Sequence, residues 1–129
     1  MKIINTETLI QKEISIPDIT GIYDPLSKQR DGTITPQAPI IVSGNNLNMF
    51  DLSCIRLCLA PALDCHYLID VVHVYKYSCN MVIASLPALP PGEYFPAVRI
   101  ISKDGNEGED DSVYILPVSL IVKPLHHSI

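Results

Sequence analysis

Apolar residues fall in short runs rich in β-branched side chains, and several runs alternate with polar positions. That is the period of a half-buried strand, not of an amphipathic helix. Eleven prolines and six glycines punctuate the chain. Few windows between them would hold a helix of ordinary length. The pattern predicts strands near 16–23, 40–43, 54–59, 71–77, 81–86, 94–102 and 113–122. About seven short strands with regular turn signals predict an all-β sandwich. In Ser53-Cys54-Ile55-Arg56-Leu57-Cys58-Leu59, alternation places Ile55, Leu57 and Leu59 on one face and Cys54, Arg56 and Cys58 on the other. The first triad is the expected core face. Pro39, Pro96 and Pro117 lie inside apolar runs, where a residue without an N–H points to a sheet edge or a break.

The stretch LPALPPGEYFPAVRI, residues 86–100, concentrates four prolines and a glycine before and within a predicted strand. Pro90 and Pro91 stiffen a turn, and Gly92 supplies a backbone conformation that a Cβ disfavours. Tyr94 follows two residues later. Its hydroxyl is placed to return to backbone at the turn, as in the tyrosine corner of Greek-key sandwiches. Tyr94 is therefore expected to be structural rather than catalytic.

A length of 129 residues suits one domain, and 47% hydrophobic against 18% charged residues excludes a disordered tail. No apolar run is long enough for a transmembrane helix. Glu7, Lys12 and Glu13 interrupt the first 17 residues, which lack the apolar core of a signal peptide. The expected location is the cytoplasm, with Cys54, Cys58, Cys65 and Cys79 as reduced thiols. A net charge of −5 disfavours direct binding to nucleic acid or to an anionic membrane. The basic residues form no run.

Candidate chemistry is sparse. His66, His73 and the four cysteines lie between positions 54 and 79. Cys54 and Cys58 share a strand face about 13 Å apart, too far to share one tetrahedral ion. Cys65-His66 lacks a partner pair. The run Asp104-Gly105-Asn106-Glu107-Gly108-Glu109-Asp110-Asp111-Ser112 has the oxygen density calcium favours but fails the twelve-residue loop template. It reads as a solvated hairpin loop. No nucleophile elbow, zinc-protease helix or phosphate loop is present. His126 and His127 form too short a run near the C-terminus to claim a metal. In Tyr75-Lys76-Tyr77, alternation puts both tyrosines on one half-buried face and Lys76 on the other. The expectation is no enzyme, no cofactor, and no catalytic or metal-binding residue.

Three segments together carry a resemblance. The first is Ile19-Thr20-Gly21-Ile22-Tyr23-Asp24 followed by Asp31-Gly32-Thr33-Ile34-Thr35-Pro36. The second is Ile40-Ile41-Val42-Ser43-Gly44-Asn45-Asn46-Leu47, and the third is the corner from Leu89 to Tyr94. In order and spacing, over residues 18–123, they resemble an immunoglobulin-like domain family of unknown function from Bacteroidetes. They are also similar to the wider group of such domains shared with plexins and transcription factors. Gln37 departs from the pattern, which usually has glycine after the proline. The resemblance implies an immunoglobulin-like sandwich over 16–124, with an extension at 1–15 and a tail at 125–129. It implies a structural turn at 44–47 and no catalytic residues. The family domain often follows a histone-like, HU-type DNA-binding domain. Residues 1–15 are too few for such a domain, so DNA binding does not carry over. The expected function is a non-enzymatic accessory or protein-interaction module, working beside histone-like DNA-binding proteins, with the acidic run at 104–111 as the first place for a basic partner. Direct binding of nucleic acid or glycan is the alternative, and an exposed cluster of Tyr67, Tyr75 and Tyr77 would favour it. An enzyme would need a deep pocket joining a cysteine to His66 or His73.

Overall fold

The computed structural model describes residues 2–4, 7, 11, 16–101 and 112–124. The acidic run at 104–111 and the histidines at 126 and 127 lie outside the described residues. Among the described residues there are ten strands: β1 (Lys2–Ile4), β2 (Asp18–Tyr23), β3 (Pro39–Asn45), β4 (Ile55–Pro61), β5 (Ile69–Asp70), β6 (His73–Tyr77), β7 (Met81–Ser85), β8 (Gly92–Ile100), β9 (Ser112–Ile115) and β10 (Leu120–Val122). A 3-10 turn, Leu52–Cys54, precedes β4 and is capped by the Asp51 side chain.

The strands make two sheets. The first runs β1-β9-β8-β4-β5, with β10 also paired to β8; the second runs β2-β3-β7-β6. All pairs are antiparallel except β1 with β9. Ile22, Ile40, Leu59, Ala84, Leu86, Tyr94 and Leu120 pack between the sheets in one cluster, and Ile55, Val98, Tyr114 and Leu116 in a second. This is a two-sheet β-sandwich. The 24–38 connection closes one side: Ile34 is buried, and its N–H donates to the Ile121 carbonyl at 2.9 Å.

The prolines follow the expectation only in part: Pro117 marks a break, whereas Pro39 and Pro96 belong to inner strands. The 113–122 run is two strands, not one, because Pro117 interrupts the ladder between β9 and β10. These two share the long strand β8: β9 pairs with Ala97 to Ile100 and β10 with Gly92 to Tyr94. Pro96 sits at the junction, with its carbonyl accepting from Leu116 N–H at 2.8 Å. Pro39 opens β3, an inner strand. The 71–77 strand is also corrected. β6 begins at His73, residues 71 and 72 are linker, and the two-residue strand β5 precedes them. β1 carries no signal in the alternation pattern.

On β4, Ile55 and Leu59 are core residues and Leu57 packs at the edge of the second cluster. Cys58, expected away from the core, is also buried. It forms a third, smaller cluster with Ala60, Ala97 and Val113 on the outer face of the first sheet, against Cys65 and Leu68 from the 62–68 connection.

Gln37, the departure from the glycine pattern, adopts φ +59° while its N–H donates to the Pro87 carbonyl at 3.1 Å. A left-handed non-glycine residue costs about 1–2 kcal/mol. Glycine there removes that cost but gives back part of it as unfolded-chain entropy. Gln37→Gly is therefore expected to stabilise the protein by ~0.5–1 kcal/mol, seen as a thermal midpoint raised by a few degrees. A lowered midpoint would show that the Gln37 side chain compensates its own backbone.

Candidate interaction face

The residues that carry the family resemblance are structural. Tyr94 is buried, and its hydroxyl donates to the Pro90 carbonyl at 2.6 Å. Gly92 takes φ +153° at the turn. Gly44 lies where β3 crosses closest to β2, and a Cβ built there falls 2.0 Å from the Asp18 carbonyl oxygen. Leu47 is buried, with its N–H donating to the Cys79 carbonyl at 2.9 Å. Asp24 is 1% exposed. Its carboxyl oxygens accept from Leu26 N–H at 3.1 Å, Ser27 Oγ at 2.7 Å and Thr35 Oγ1 at 2.5 Å.

Among the described residues, the cysteines and histidines do not converge. Among the described residues, no group of three His, Cys, Asp or Glu side chains is placed to hold a metal. His66 and His73 are exposed, Cys79 is exposed, and Cys54 and Cys65 are half-buried. An apolar cavity of about 90 Å³ lies between the sheets, lined by Val42, Leu57, Leu59, Tyr77, Val82 and Leu86 among others. It is smaller than a typical cofactor site. Cys58 borders it, but neither His66 nor His73 does.

Cys58 has a distinct environment. Its thiol donates to Asp70 Oδ1 at 3.1 Å, and Asp70 pairs with Arg99 at 3.6 Å. Burial, then the hydrogen bond and negative charge of Asp70, push the thiol up to about 12. Such a thiol is neutral at ordinary pH and a poor nucleophile. Burial and the charge of Asp51 likewise push Tyr77 up to about 12, while its hydroxyl donates to the Phe50 carbonyl at 2.8 Å. Both groups are acids held in their neutral forms by folding. The stability they contribute is complete below pH 9 and is lost as pH climbs toward 12. Denaturant unfolding at pH 8, 10 and 11 is expected to show a steep alkaline loss, and Cys58→Ser to flatten it. An unchanged slope in that variant would remove Cys58 from the account.

The tyrosine pair does not behave as its spacing predicts. The β6–β7 register shifts between Val74 and Lys76, leaving Tyr75 as the extra residue of a bulge. A bulge resets alternation. Tyr77 therefore turns inward to Phe50, while Tyr75 is 63% exposed. Its ring meets His73 edge-on at 4.6 Å, and its hydroxyl accepts from Ser85 Oγ at 2.8 Å. Of the three tyrosines that would mark an aromatic ligand site, Tyr67 and Tyr75 are exposed and Tyr77 is not.

The two outer faces of the sandwich differ. On the first sheet the Cys58 cluster is roofed by Cys65 and Leu68. On the second sheet, register aligns Tyr23, Ile41, Ile83 and Lys76 in one row across the four strands. Gly21, Ser43 and Met81 form the row on one side, and Pro39, Ser85 and His73 the row on the other. Tyr23, Ile41, Met81 and Ile83 are half-buried and belong to none of the three packed clusters. Arg30 lies over the Tyr23 ring at 4.2 Å. Arg30 thus caps the Tyr23 end of this apolar face, and Ile41, Met81 and Ile83 remain partly exposed on it. Its signal in the sequence is the pair of runs Ile40-Ile41-Val42 and Met81-Val82-Ile83-Ala84, apolar at both parities, as in strands covered on both faces.

The edges are blunted. β2 and β6, the borders of the second sheet, each carry a bulge, and β6 carries Lys76. β5 has two residues and β1 three. Bulges, lysines and short strands all discourage edge-on pairing.

No protein-family model matches the chain, and no curated protein sequence does. Among solved structures it is similar to a protein from Bacteroides vulgatus ATCC 8482 described as a candidate bacterial DNA-binding protein. The TM-score is 0.57 with 18% sequence identity, over 82% of this chain and 47% of that one. At this identity the likeness is one of fold. The chain spans about half the length of that neighbour. No helix among the described residues is long and apolar enough to cross a membrane.

Proposed function

We propose that this chain is a non-enzymatic protein-interaction module on an immunoglobulin-like sandwich, acting in the cytoplasm in the company of DNA-binding proteins. The observation that carries the reading is the apolar outer face of the second sheet, with the partly exposed Ile41, Met81 and Ile83 at its centre. Sandwich proteins expose such surface where a partner covers it. The Greek-key assignment is supported by the connections that cross between sheets, β3 to β4, β5 to β6 and β7 to β8 among them, with the buried Tyr94 hydroxyl bond at the last. The association with DNA-binding proteins is supported by the family resemblance and by the description of the structural neighbour. Direct binding of glycan has less support, because Tyr77 is turned inward.

The test is capture of partners by the tagged full chain from a lysate of its own organism, with and without nuclease. A protein retained after nuclease supports the reading. A partner lost with nuclease replaces it with nucleic-acid binding, and no specific partner in either arm overturns it.

A further inference from the structure

We infer that the apolar outer face of the second sheet docks an acidic, apolar-bearing polypeptide segment. This rests on the interaction-module reading and adds the surface and the chemistry of its occupant.

The charges on the face are arranged one way. Lys76 ends the central row at β6, Arg30 covers the other end at Tyr23, and His73 stands in the next row. Among β2, β3, β6 and β7 the one carboxylate is Asp18, at the far end of β2 opposite Asn45. Asp31, next to Arg30, is engaged with the Thr33 N–H at 3.0 Å. The two cations thus bracket an apolar centre that no carboxylate interrupts. Two cations flanking this centre stand out in a chain whose net charge is −5. A partner segment with carboxylates outside and aliphatic side chains between them matches this layout, and such complementarity sets partner choice and register.

Two other occupants fit less well. Single-stranded nucleic acid is held by aromatic platforms within a basic groove. Here the centre is Ile41, Met81 and Ile83; the Tyr23 ring is already covered by Arg30, and Tyr75 lies at the β6 border. A second copy joined edge to edge meets the bulges of β2 and β6.

The experiment is selection from a random twelve-residue peptide library displayed on phage, against the full chain. Enriched peptides are expected to alternate Asp or Glu with Leu, Ile or Phe. Synthetic copies should bind with salt-sensitive affinity, weakened at least tenfold by Ile83→Glu and by the Arg30→Glu, Lys76→Glu double variant. Met81→Glu serves as a second face variant, and thermal melting confirms that each variant is folded. Enrichment of basic or uncharged peptides, no enrichment, or binding that survives all folded variants overturns the inference. So does binding of a dT12 oligonucleotide that Ile83→Glu abolishes, or a dimer in sedimentation that Ile83→Glu dissolves. If a nuclease-resistant protein partner is captured by the wild type and by Ile83→Glu alike, the module reading stands and this face is not its site.

Discussion

Gly44→Ala is expected to destabilise the protein by ~3–4 kcal/mol, through strain against backbone rather than against a movable side chain. The added Cβ would lie 2.0 Å from the Asp18 carbonyl oxygen, 3.0 Å from its carbon and 3.1 Å from the Ile19 Cα. No rotamer change relieves that overlap, so the start of β2 must move off β3. That motion breaks the pairing of Asp18 with Asn45 and Ile19 with Gly44, beside the β2 bulge. It also pulls Ile19 from the core clusters it packs against. For a domain of this size, the loss corresponds to a thermal midpoint lowered by roughly 10–20 °C. Gly21→Ala is the control. Its Cβ would meet only the Ser43 side chain, at 4.0 Å, so its cost is expected to stay near or below ~1 kcal/mol. Equal losses in the two variants, measured by calorimetry, would mean that glycine flexibility and not close approach decides position 44.

Asp24→Ala should cost ~3 kcal/mol, because it strands donors rather than simply deleting bonds. Asp24 is among the most completely buried side chains of the protein. Its removal leaves the Leu26 N–H and the Ser27 and Thr35 hydroxyls without their acceptor. It also unties the two halves of the 19–36 motif, since Thr35 is eleven positions from Asp24 and joined to it by the 2.5 Å bond. Asp24→Asn keeps the shape but turns one acceptor into an NH2 donor. Facing Leu26, that group opposes an N–H; facing the hydroxyls, it forces both to rotate and accept. It should lose about half as much as Asp24→Ala. Denaturant midpoints of the three proteins give the order wild type, Asn, Ala; an Asn variant as stable as wild type would show that the network needs shape and not acceptors.

Neither prediction concerns a catalytic group, which reflects where the legible residues lie. The Tyr94 corner was readable because turn chemistry is local: proline limits φ, glycine relieves it, and a tyrosine two residues on reaches back. The Gly44 turn was readable as a motif, but the Asp18 carbonyl that requires it belongs to a strand 26 positions away and leaves no local mark. Tyr75 and Tyr77 were misplaced because period-two reasoning assumes an unbroken ladder, and the bulge is a property of the pair β6–β7. The open face was half legible. The runs at 40–42 and 81–84 are apolar at both parities, a mark of strands with two apolar faces, but parity does not say which face another element covers.

The class of this protein was legible along the chain: short alternating runs, dense turn residues and scattered charge leave a β-sandwich. Those are statements about neighbours along the chain, where steric and hydrogen-bonding preferences act directly. Only the tertiary structure decided which face of each sheet is covered, that Cys58 is a buried thiol bonded to Asp70, and that Arg30 and Lys76 bracket one apolar surface. Each depends on which strands become neighbours across the sheet, and register between distant segments is a global outcome of burying the core.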